Sequence, residues 1–135
     1  MNFIFCKIIN KEIPAQIIFE NDGYIAFLDI EPNTLGHTLV IPKKHINNFS
    51  EETPEEAADH IRIVHRVATQ LKNILPSDGF NVAINNGRAA GQLVDHVHWH
   101  IIPRYEGDGL KHFAHSAEAK SKLDEVFNKI NGQIK

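Results

Sequence analysis

Five short stretches of the chain are rich in β-branched and aromatic residues or alternate apolar with polar positions. Longer runs instead repeat their apolar residues at three- and four-residue steps, and these two rhythms predict its elements. Ile17-Ile18-Phe19 and Tyr24-Ile25-Ala26-Phe27-Leu28 flank Asn21-Asp22-Gly23, a hairpin turn signal. His37-Thr38-Leu39-Val40-Ile41 predicts a third strand, stopped by Pro42. Phe80, Val82 and Ile84 alternate as a fourth, and residues 94–102 predict a fifth. Thr53, Pro54 and Glu56 supply an N-cap, a first-turn proline and a capping-box acid. Ala57, Ile61, Val64, Ala68, Leu71 and Leu75 then make one stripe of a helix of about six turns, ended by Pro76 and Gly79. A short helix is expected from Phe3 to Asn10. A terminal one is expected over 116–131, with Leu123, Val126, Phe127 and Ile130 on one stripe and Gly132 at its stop. The sum is a single α+β domain, residues 1–135, on a mostly antiparallel five-stranded sheet with one long helix and a C-terminal helix.

The fifth strand carries the chemistry. It reads Asp95-His96-Val97-His98-Trp99-His100-Ile101-Ile102-Pro103-Arg104, so three imidazoles are expected on one face, with Val97, Trp99 and Ile101 on the other. Same-face neighbours on a strand lie roughly 7 Å apart. With a side-chain pKa near about 6.5 each, such a row can hold an anion and move protons at neutral pH. An isolated His-x-His-x-His strand is equally a metal-ligand pattern.

Charge and composition narrow the partners. The net charge is −3 with dispersed Lys and Arg, so no large nucleic-acid surface is expected. No apolar run approaches the roughly 18 residues of a membrane span. The segment from Met1 to Lys7 has no basic region leading into an apolar stretch, and the single cysteine, Cys6, excludes an internal disulfide. A cytoplasmic setting is therefore expected. Nine histidines in 135 residues are an excess that points back to the row.

His96-Val97-His98-Trp99-His100-Ile101-Ile102 resembles the signature of the histidine triad (HIT) family of nucleotide-binding proteins and hydrolases. Three further blocks are similar to that family and collinear over roughly residues 3 to 105. They are Ile8-Ile9-Asn10-Lys11-Glu12-Ile13-Pro14, the run from Gly36 to His45, and Asn85-Asn86-Gly87 through Gly91-Gln92. The ending Ile101-Ile102-Pro103-Arg104 looks like the prokaryotic-type branch. The resemblance implies a homodimer whose two sheets join into one. It also implies metal-independent nucleotidyl transfer to water, with adenosine phosphoramidates or dinucleoside polyphosphates as substrates and no cofactor.

Carried over residue by residue, the middle histidine, His98, attacks the α-phosphorus and forms a covalent nucleotidyl-histidine. His96 and His100 bind phosphate oxygens or supply the leaving-group proton, the sequence leaving open which of them is the acid. Gln92 matches the phosphate-contacting position and Asp29 the ribose carboxylate. Ile30, Phe27 and Phe5 are implied walls for the purine base. Asn85 and Gly91 belong to the phosphate loop, and His37 lies on the strand beside the row. A nucleotide-binding sensor with incidental hydrolysis is the alternative from another class.

Some relatives of that branch hold a structural zinc with two N-terminal cysteines, a histidine like His45 and one triad histidine. Phe3 stands here at the first cysteine position, so no metal site is expected, and Cys6 reads as a small buried hydrophobe. His45 reads as structural, and His60 and His65 as solvated positions on the long helix. His112 and His115 lie in the C-terminal connection without an assigned role. Lys43 and Lys44 read as a solvated turn, and Trp99 as core or interface packing.

Overall fold

The computed structural model describes residues 3–135. Met1 and Asn2, the start of the segment read above for a secretion signal, lie outside the described residues. The elements are α1 (Ile4–Ile9), β1 (Ile17–Glu20), β2 (Tyr24–Leu28), β3 (Thr38–Pro42), α2 (Pro54–Ile74), β4 (Gly79–Ile84), β5 (Trp99–Arg104), α3 (Ala117–Ser121) and α4 (Leu123–Ile130). The five strands form one antiparallel sheet in the order β1-β2-β3-β5-β4. This is the expected α+β architecture.

β3 is buried along its whole length because it pairs on both sides and is covered on both faces. On one face Leu39 and Ile41 join Ile25, Phe27 and the α1 residues Phe5 and Ile8. On the other, Val40, Ala26 and Ile101 meet Val64, Val67 and Ala68 of α2. Thr53 caps α2 as its sequence predicts, taking the Glu56 N–H while the Glu56 carboxylate takes the Thr53 N–H. Gly36 has φ +91°, and an added Cβ there would run into Leu75 Cδ1 and Pro103, so the chain enters β3 at a place only glycine fits.

Four expectations are corrected. First, β5 begins at Trp99 rather than near residue 94. Residues 94–98 leave the ladder and run against the 43–47 loop, where the Val97 N–H donates to the Ile46 carbonyl at 2.7 Å. Second, Pro42 is the last residue of β3, opposite Tyr24, rather than the residue that follows it. Third, the buried stripe of α2 is His60, Val64, Val67 and Ala68, while Ile61 is exposed. His60, expected in solvent, is fully buried because its ring links the Glu52 carboxylate (3.0 Å) to the Val40 carbonyl (2.9 Å). Fourth, the terminal helix is broken at Lys122 into α3 and α4, and its apolar stripe of Leu123, Val126, Phe127 and Ile130 is exposed. No helix among the described residues is long and apolar enough to cross a membrane.

Candidate active site

The three triad histidines come together, though not as one ladder. Only His100 sits on β5, opposite Leu39 of β3. His98 is one residue before the strand, and its ring lies 5.0 Å from that of His100. Phe5 of α1 sets its ring edge-on to both His98 (5.1 Å) and His96 (6.0 Å). Phe5 is 6% exposed and Phe27, 5.5 Å from it, 3%. These two rings are core that buttresses the histidines from behind, rather than the open walls of a base pocket. Ile30 is 81% exposed at the end of β2 and remains free to meet a base.

Hydrogen bonds fix the tautomers. The Nδ1–H of His98 donates to the His96 backbone carbonyl at 2.7 Å, which leaves Nε2 as a lone pair. A second chain of bonds orients His100. The Asn33 backbone N–H donates to His37 Nδ1 at 3.0 Å, so His37 carries its proton on Nε2. That Nε2–H donates to His100 Nδ1 at 2.9 Å, and His100 must then carry its own proton on Nε2, where it has no partner. An unpaired buried donor is costly, and one set beside the His98 ring is a donor held ready for a ligand. His37 therefore stands behind His100 and is buried there. Asp29 Oδ2 lies 3.6 Å from His37 Nε2, and Oδ1 takes the Glu31 N–H at 2.9 Å. Its carboxylate stays partly exposed.

Burial also sets the charge of the row. Loss of water pushes His96 and His100 down to about 4, and it lowers His98 and His37 as well, in the last case against the pull of Asp29. The row is thus neutral at pH 7, not the titrating anion-binding surface that free imidazoles would make.

Gln92 acts on the loop and not as an open phosphate donor. Its Oε1 accepts from the Gly87 N–H (2.9 Å), and its Nε2 donates to the carbonyls of Asn47 (2.6 Å) and Val94 (3.0 Å). This closes residues 87–92 around a 3-10 turn at Arg88–Ala90, which ends on Gly91 in the left-handed region. Asn86, with no role assigned from sequence, holds the loop to the 49–51 turn by accepting the Phe49 N–H at 2.8 Å. Asn85 is half-buried and shares a cleft with His100.

Cys6 is half-buried rather than buried, with its thiol 3.5 Å from His45 Nδ1 and 3.9 Å from His96 Nδ1. The two Nδ1 atoms are 3.2 Å apart. His96 Nε2 points to the Pro42 carbonyl (2.8 Å) and His45 Nε2 to Asn47 Oδ1 (3.0 Å), so both Nδ1 lone pairs aim inward. Tetrahedral zinc, with bonds of about 2.0–2.3 Å, sets such donors about 3.4–3.6 Å apart. These three donors fit a zinc ion, whose fourth position no described residue fills. The expectation of no metal site rested on the missing cysteine alone and did not anticipate this convergence.

Comparison with known proteins agrees with the geometry. The HIT domain family model matches residues 10–107. The chain belongs to the HIT domain family. A HIT-like protein of Methanocaldococcus jannaschii is 52% identical over 130 residues, 96% of this chain and 98% of the relative. The crystal structure of a HIT family member from Bacillus subtilis superposes with a TM-score of 0.86 at 40% identity, over 100% of this chain and 99% of the other. The adenosine 5'-monophosphoramidase of Schizosaccharomyces pombe is 47% identical over 104 residues, 77% of this chain and 75% of that one. Within the HIT domain the triad, the loop closed by Gln92 and Asp29 all fall inside the matched span.

Proposed function

We propose that the chain hydrolyses nucleotides of the adenosine phosphoramidate or dinucleoside polyphosphate class through a covalent nucleotidyl-His98. The observation that carries this reading is the 2.7 Å bond from His98 Nδ1–H to the His96 carbonyl. It keeps Nε2 unprotonated and aimed outward, and burial keeps the ring neutral. A neutral imidazole is a competent nucleophile at pH 7, and two easier displacements replace one hard one.

In the first step His98 Nε2 attacks the α-phosphorus. A P–N bond forms, and the P–O or P–N bond to the leaving group breaks. His100 Nε2–H gives its proton to the departing atom and is reprotonated there by water, so no imidazolate is left, and in this reading His100 rather than His96 is the acid. The imidazolium left on His98 keeps its Nδ1–H on the His96 carbonyl, a bond that strengthens as the ring becomes positive. In the second step the hydroxide left by that water attacks phosphorus. The P–N bond breaks, a nucleoside monophosphate leaves, and both rings return to their starting tautomers. Within the 87–91 turn the Gly87, Ala90 and Gly91 N–H groups are taken by Gln92 and by the turn itself, which leaves those of Arg88 and Ala89 as donors for charge on the phosphoryl oxygens.

Asp29 accepts from the ribose hydroxyls and Ile30 meets the purine base. The name of the yeast relative supports an adenosine substrate. The reading includes a homodimer. β4 is an edge strand with Phe80 and Val82 exposed, open to pairing that would join two sheets. Zinc held by Cys6, His45 and His96 would pin α1 to the His96 ring, and no step passes through it.

The test is His98→Ala measured against AMP binding by calorimetry. The variant should lose turnover by several orders of magnitude and keep its affinity for AMP. Unchanged turnover would overturn the reading, and tight AMP binding without turnover in the unaltered chain would favour the sensor.

A further inference from the structure

Next to the triad lies the cleft that His100 shares with Asn85, with a volume of about 510 Å³. Its floor is the outer half of the sheet, with His100, Ile102 and Arg104 of β5 beside Ala83 of β4 and Asn85 just after it. Its other wall is the strap from Leu110 to Phe113 that follows the sheet. Arg104 fixes the start of that strap. It holds both carboxylate oxygens of Asp108 (2.8 and 3.0 Å) and donates to the Leu110 carbonyl (3.1 Å).

We infer that Lys111, carried on this strap, is a specificity-determining residue that selects substrates with a large anionic leaving group. The inference rests on the hydrolase reading above and extends it. His100 is the acid, so the leaving group must lie on the side His100 faces, and His100 lines this cleft. The cleft falls within the range of about 300–1,000 Å³ typical of small-molecule sites. Ammonia leaving a phosphoramidate would occupy almost none of it, whereas a departing nucleoside phosphate would fill it.

Charge points the same way. Asp29 adds a carboxylate beside His37 and His100, so this side of the site brings a negative charge rather than a cation toward a phosphate. Arg104 is neutralised by Asp108. Arg88 sits on the phosphate loop outside the cleft lining. Among the described residues, Lys111 lines the cleft with no carboxylate or hydrogen-bond partner. A free ammonium at the mouth of a cleft meets a phosphate as a mobile point charge.

The experiment compares kcat/KM for diadenosine triphosphate and for adenosine phosphoramidate in the full chain, Lys111→Met and Lys111→Arg. Lys111→Met should lose about tenfold or more on the triphosphate and stay within about twofold on the phosphoramidate, with Lys111→Arg restoring most of the loss. Equal losses on both substrates, or none on either, would overturn the role of Lys111 alone. An unaltered chain that turns over neither substrate would instead overturn the hydrolase reading beneath it.

Discussion

His37 Nε2 lies 2.9 Å from His100 Nδ1, and this contact decides which nitrogen of His100 holds the proton. Because the Asn33 N–H already occupies His37 Nδ1, the chain of donors runs one way, from the 33–37 loop toward the His98 ring. In the proposed mechanism this makes His37 a positioning residue for the acid.

Removing it should matter only where a proton is needed. His37→Ala is expected to lower kcat by about 10²-fold on a phosphoramidate, within the range for general acid assistance, with KM little changed. On an AMP ester of p-nitrophenol, whose leaving group departs without protonation, the same variant should approach the unaltered rate. Equal loss on both substrates would mean that His37 supports the fold rather than the proton.

The buried triad makes stability depend on pH. In the unfolded chain an imidazole titrates near 6.5, while His96 and His100 in the fold are held at about 4. Between those values the unfolded chain binds more protons, so stability is fully present above pH 6.5 and falls as the pH drops toward 4. Urea midpoints at pH 7.5 and pH 5 should show the drop, and His100→Asn should reduce it. A midpoint that holds steady or rises on acidification contradicts the assignment.

A structural ion predicts a split between stability and rate. Zinc added to the chelator-treated chain should raise its melting midpoint, because an ion bound only by the folded state stabilises it, and Cys6→Ser should abolish the rise. Turnover should agree with and without zinc. Hydrolysis that needs stoichiometric metal would turn the site into a different enzyme.

The sheet, the capped α2 and the residues of the triad were legible because strand composition, a capping box and the alternation of histidines are local patterns. What sequence could not show depends on partners distant in the chain. His60 reads as polar in a helical stripe, and only the pairing with Glu52 and the Val40 carbonyl makes its burial tolerable. The strand boundary at Trp99 is set by the loop at Ile46 drawing residues 94–98 off the ladder. Gln92 was expected to contact phosphate, and its amide is instead spent on backbone groups up to 45 positions away. The tautomers of His96 and His100 were closed to sequence, because a tautomer follows from its hydrogen-bond partners.

The central claim is a bond between phosphorus and His98, and trapping it is the direct test. The chain is mixed with excess adenosine phosphoramidate, quenched in denaturant at high pH and digested for mass spectrometry. The account predicts one adenylyl group on the peptide carrying His98, localised to that ring by fragmentation and absent from His98→Ala. An actively turning over chain with no adduct, or with the adduct on His96 or His100, would contradict it.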